Sequence, residues 1–68
     1  MPLYQDLADN FEQLIKKGSF KVGDKMPSLL TVSKEFGVSK NTVIQAYLLL
    51  ESRSFINSKP QSGFFVSN

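Results

Sequence analysis

Between Leu3 and Lys17, apolar residues fall at positions 4, 7, 8, 11, 14 and 15, and Asp6, Asp9, Glu12, Gln13 and Lys16 fall between them. This is the spacing of one helical face, and it predicts a first helix over about residues 3–17. Pro2 suits the entry of that helix, Lys16 and Lys17 complement its carbonyl end, and Gly18 supplies the stop. The next stretch, "GSFKVGDKMP", holds two glycines, an aspartate and a proline. It is expected to form loop and turn, with Phe20 and Val22 anchoring it to the core.

A second, shorter helix is expected over about residues 29–36, "LLTVSKEF", with Ser28 as its cap and Gly37 ending it. Leu29, Val32, Ser33 and Phe36 give it an apolar edge. The whole connection to the third helix is "GVS", in which Gly37 can turn left-handed, Val38 plugs the angle and Ser39 caps. Two helices joined so tightly form a helix-turn-helix.

The third helix, about residues 40–53, changes character along its length. Its start, Ser39-Lys40-Asn41-Thr42, is polar, whereas Val43, Ala46, Tyr47 and Leu50 gather on one side of its body. Asn41, Gln45 and Leu48 gather opposite. After it, "FINS" and "FFVS" flank "KPQSG", two β-prone runs around a Pro/Gly break, which predict a hairpin over about residues 55–66. The order is helix, helix-turn-helix, hairpin. The fold class is therefore mainly α with a small β-hairpin: a winged helix-turn-helix of three helices plus a wing, filling residues 1–68 as one domain.

Composition removes several functions. The chain has no cysteine and no histidine, so disulfides, thiolate zinc sites and the usual general base are excluded. Its six carboxylates are scattered, so no catalytic residue and no metal ligand set is expected, and the chain is expected not to be an enzyme. The longest apolar run, Ala46 to Leu50, falls far short of a membrane helix, and nothing at the start resembles a signal peptide. The cytoplasm is the expected location.

The net charge of +2 is modest, but its distribution is not even. Residues 1–15 sum to −3 and residues 16–68 to +5, so a polyanion would be met by the later part of the chain. In a helix-turn-helix the second helix lies in the DNA major groove and its N-terminal residues reach base edges. Those residues must be polar while the rest of the helix packs on the domain, which explains the change of character.

Ser39 and Thr42 carry hydroxyls beside helix-start N–H groups, suited to capping and to a phosphate oxygen. Lys40, a cation opposing the helix dipole, suits phosphate or guanine. Asn41 and Gln45 suit adenine, whose N6 and N7 an amide meets bidentately. Lys59 and Gln61 at the wing tip can reach the neighbouring minor groove or backbone, where Gly63 permits close approach. For Lys21, Lys25 and Lys34, ordinary solvated charge is the simpler reading.

The stretch from "PLYQDL" to "SGFFV" resembles the N-terminal DNA-binding domain of the GntR family of bacterial transcription regulators. The resemblance is carried most specifically by "PLY", "GDKMPS", "GVSKNTV" and "SGFFV", while "NTVIQAY" and "KPQSGFFV" resemble the MocR branch. The YtrA-like branch is the next possibility. The resemblance implies binding of a double-stranded DNA operator as a homodimer. It also implies DNA contacts from Ser39, Lys40, Asn41, Thr42 and a wing tip around Gln61, Ser62 and Gly63. No cofactor is expected in this chain; in the MocR branch an aminotransferase-like domain binding pyridoxal phosphate follows, here beyond residue 68.

Three positions depart from the family pattern. Leu30 and Ile44 stand where many members carry arginine, so no arginine role transfers to them, and Ser54 stands where a glycine usually ends the third helix. Leu48 and Leu49 exceed what a small core needs, and one of them is expected to contact a partner domain or second subunit. A winged-helix protein-interaction module, or a DNA-binding appendage of a pyridoxal-phosphate enzyme-like protein, is the alternative function.

Overall fold

Three helices and one hairpin follow each other in chain order: α1 (Leu3–Lys17), α2 (Leu29–Phe36), α3 (Lys40–Ser52), β1 (Ile56–Lys59) and β2 (Gly63–Val66). The computed structural model describes residues 3–60 and 63–67, so Pro2, Gln61 and Ser62 lie outside the described residues. The winged helix-turn-helix expected from the sequence is the fold observed. The third helix ends one residue early, because Arg53 is its cap, its N–H donating to Leu49 O at 3.1 Å.

The core forms where the apolar stripes of α1 and α3 meet. Leu7, Ala8, Phe11 and Ile15 come from α1, and Val43, Ala46, Tyr47 and Leu50 from α3. Val32, Met26, Ile56 and Val66 close it from α2, the preceding loop and the wing. Tyr47 is the central piece. Its ring lies 5.7 Å from Phe11 and 5.0 Å from Phe64, edge-on to both, and its hydroxyl donates to Pro27 O at 2.7 Å. Burial pushes this phenol well above its ordinary value, so it stays protonated and keeps donating.

The turn between α2 and α3 is built as the residues dictate. Gly37 takes the left-handed conformation (φ 66°) and the Val38 N–H bonds back to Ser33 O, while the Ser33 hydroxyl donates to Val38 O. Val38 is half-buried against the core.

The segment before α2 differs from expectation in two ways. Val22 is 68% exposed instead of anchored, because a tight turn closes beneath it: the Lys21 N–H donates to the Asp24 carboxylate and the Asp24 N–H to Lys21 O. Phe20 does pack, 6.1 Å from Phe11. Residues 23–26 are also more than loop. Gly23 and Met26 donate to Val66 O and Phe64 O, and Val66 donates back to Asp24 O, adding a third extended segment along β2.

The outer residues of the helices separate cleanly. Leu49 is half-buried against the core, whereas Leu48 is 51% exposed. Among the described residues, Ser54 is the non-glycine residue with positive φ, at 68°. A side chain in this conformation costs about 1 kcal/mol. Ser54→Gly is expected to raise stability by relieving that strain, and it keeps the bond from the Ser67 hydroxyl to the carbonyl of residue 54. Paired thermal melts check it, and a lower midpoint for the glycine variant refutes it.

Candidate nucleic-acid interface

Helix α3 turns one side inward and leaves the other uncovered. Val43, Ala46, Tyr47 and Leu50 are at most 1% exposed, while Lys40, Asn41, Gln45 and Leu48 are exposed. At 100° per residue, Asn41 and Gln45 lie one turn apart on the face opposite the core. Both amides therefore project from the domain, as their positions in the sequence demand.

The tip of α3 is held by its own hydroxyls. Ser39 is extended (φ −73°, ψ 157°), and its oxygen accepts the Thr42 N–H at 3.2 Å and lies 2.9 Å from the Thr42 hydroxyl. Thr42 is half-buried. The start of α2 repeats the device, with Ser28 accepting from Thr31 N at 3.1 Å and donating to the Thr31 hydroxyl at 2.8 Å. These bonds satisfy one donor each. The Lys40 and Asn41 N–H groups have no acceptor within the helix and point out of its start. Neither α2 nor α3 carries an acidic residue in its first turn, so both starts keep the partial positive charge of a helix N-terminus.

The basic residues divide by role. Arg53 pairs with Asp9 at 2.9 Å and Glu12 at 3.0 Å, and Lys16 pairs with Glu12 at 3.2 Å. Asp9 and Glu12 of α1 are thus matched at the end of the domain where α3 finishes. Among the described residues, Lys25, Lys34 and Lys40 form no ion pair, and all three are exposed.

The wing continues from α3. β1 and β2 pair antiparallel, with Ile56 opposite Val66 and Lys59 opposite Gly63. Ile56 and Val66 are buried, and Asn57, Ser58 and Lys59 are exposed. Lys59 lies over the Phe65 ring, 5.0 Å from its centre, and so stays at the outer face of the hairpin. Gly63 has φ 102°, a conformation that strains any side chain.

Sequence reasoning left Lys25 among ordinary surface charges. The ladder from residues 23–26 brings it beside the wing, where a β-carbon added at Gly63 would lie 3.4 Å from its Cε. Only a non-local pairing places it there. The alternating Lys-Val and Lys-Met pairs of "FKVGDKM" were the available signal, obscured by the glycine.

An uncovered polar helix start, a second helix start on the same unit and a basic hairpin define a winged helix-turn-helix domain of the DNA-binding kind. A family model for bacterial regulatory proteins of the gntR family matches residues 3–66, and the chain belongs to that family. It is 43% identical over 67 residues to the HTH-type transcriptional regulator YjiR of Escherichia coli (strain K12), covering 98% of this chain and 14% of that protein. Among solved structures it resembles YtrA of Sulfolobus acidocaldarius, a GntR-family transcription factor: TM-score 0.90, 35% identity, 100% of this chain and 71% of that one. It also resembles the AraR DNA-binding domain in complex with operator ORE1: TM-score 0.93, 27% identity, 98% of this chain and 82% of that one. The chain thus spans about one seventh of the curated relative's length.

Proposed function

We propose that this domain binds an operator duplex in a sequence-specific way, with the start of α3 in the major groove and the wing on the flanking minor groove or backbone. The observation that carries this reading is the exposed pair Asn41 and Gln45 on a helix whose other side is wholly buried. The amides read base edges, Lys40 and the N–H groups at the start of α3 hold phosphate, and Ser39 and Thr42 fix the helix start that presents them. Lys59, Gly63 and Lys25 form the described part of the wing contact. Gln61 and Ser62 complete the tip in this proposal, which for them rests on sequence.

Selection of preferred duplexes from random DNA tests the reading. Asn41→Ala is expected to relax preference at one base position, with about 1–3 kcal/mol at stake. Lys40→Ala is expected to weaken all duplexes evenly. Identical effects of both on every duplex would overturn the assignment of roles.

The finer placement belongs to the same proposal. The "NTVIQAY" and "KPQSGFFV" motifs support the MocR branch, and the proportions of the curated relatives leave room for a large further domain. A full-length homodimer in the cytoplasm follows, with Leu48 offered to the second subunit or to the further domain. The domain itself is proposed to carry no enzymatic activity. Among its described residues no helix is long and apolar enough to cross a membrane.

The cleft between the described residues of α3 and the wing does not fit pyridoxal phosphate. The cleft of about 260 Å³ beside Tyr47 and Phe64 holds one lysine, Lys25, and no carboxylate to meet a pyridine nitrogen. Any site for it belongs to the further domain.

A further inference from the structure

The outward face of α3 carries two kinds of residue side by side. Taking Asn41 as the reference, Gln45 lies about 40° to one side, and Ile44 and Leu48 lie about 60° and 20° to the other. A polar stripe and an apolar stripe therefore run together along the surface opposite the core.

Ile44 is the unexpected member. It is half-buried, yet it is absent from the hydrophobic residues packed against the core, which on α3 include Leu49. The core therefore leaves its side chain available at the surface of α3. It also sits close to the reading tip, three residues after Asn41, or about 4.5 Å further along the helix axis. That distance is close to one base-pair step, about 3.4 Å.

The floor of the major groove offers polar atoms at every base pair and an apolar group at one base alone, the 5-methyl of thymine. An isoleucine pressed toward that floor either covers this methyl or leaves its own surface wet against polar atoms. An A·T pair also presents the adenine N6 and N7 that suit Asn41, so the two stripes match one or two successive A·T pairs.

We propose that Ile44 is a specificity-determining residue that reads the 5-methyl group of a thymine beside the base read by Asn41. This inference rests on the placement of α3 in the major groove proposed above.

The test uses the 68-residue chain and its preferred duplex. Each thymine is replaced in turn by deoxyuridine, which removes the methyl and keeps every hydrogen-bonding group. For the unaltered chain, affinity read by fluorescence anisotropy should fall about fourfold at one thymine of the half-site, the effect of one lost apolar carbon contact. Ile44→Ala should bind thymine and deoxyuridine equally there. Ile44→Gln, which keeps helix propensity and chain length, should do the same and serves if the alanine variant melts. A flat scan for the unaltered chain, or discrimination that survives both substitutions, overturns the assignment. Where duplex preference persists and depends on Asn41 but the scan is flat, only Ile44's role falls. Where no duplex is preferred at all, the groove placement of α3 falls and takes this role with it.

Discussion

Tyr47→Ala is expected to remove from about a third to all of the stability of the fold. The side chain is 1% exposed, packs edge-on against Phe11 and Phe64, and bonds Pro27 O at 2.7 Å. Truncating a buried aromatic residue costs about 3–5 kcal/mol. A chain of 68 residues has about 3–10 kcal/mol in total, at the usual 0.05–0.15 kcal/mol per residue. The loss is therefore from about a third of the stability to all of it. Tyr47→Phe separates the two contributions: the rings remain packed and the hydroxyl is lost, at a cost of about 1 kcal/mol. Urea titrations of the three proteins, followed by circular dichroism, check the order. An alanine variant that melts with the parent would show that the helices do not depend on this residue as a common support.

Binding to duplex DNA should weaken about 10²-fold between 50 and 200 mM salt, for about four cations that each displace a counterion. The four are Lys25, Lys34, Lys40 and Lys59, all exposed and on or beside the helix-turn-helix and the wing; Lys17 and Lys21, equally exposed, lie at the end of α1 and in the turn after it. Arg53 and Lys16 are left out because their charge is matched by Asp9 and Glu12. The slope of log affinity against log salt, measured by anisotropy, checks the count, and Lys40→Ala should reduce it by about one phosphate. A slope near zero would contradict electrostatic docking of this face. Arg53→Ala is expected to leave the slope unchanged, so the two substitutions distinguish cations that meet DNA from those that hold α1 to α3.

Helical periodicity carried most of the fold. Leu7, Phe11 and Ile15 on α1, and Val43, Ala46 and Leu50 on α3, declare their buried side through local spacing alone. Ser28, Gly37 and Ser39 set the ends of α2 and α3 because each has a specific job in cap or turn. Contacts between residues distant in the chain were less visible. Val22 was expected inside because it is valine, but the Lys21–Asp24 turn lifts it out. The pairing of residues 23–26 with β2 joins segments some forty positions apart, and the short polar–apolar alternation before α2 does not say which strand it meets.

The candidate site was legible in kind and incomplete in extent. The polar start of α3 predicts its own exposure, because Asn41 and Gln45 fall opposite four apolar residues. Lys25 could not be added from sequence, since its place beside Gly63 depends on that long-range ladder. Ile44 was set aside as a position lacking the arginine of relatives. Its standing as an apolar residue that the core leaves unused becomes visible only once the core is mapped.

The wing is fastened to α3 at its root. Glu51 accepts from both the N–H and the hydroxyl of Ser58 at 3.0 Å, and Ser67 bonds back to Phe55 O at 3.0 Å. Helix and hairpin consequently work like the jaws of a fixed gauge. On the placement proposed above, a duplex would have to offer its two footholds at one set separation, and a duplex lengthened by a single base pair between them is expected to meet only one jaw.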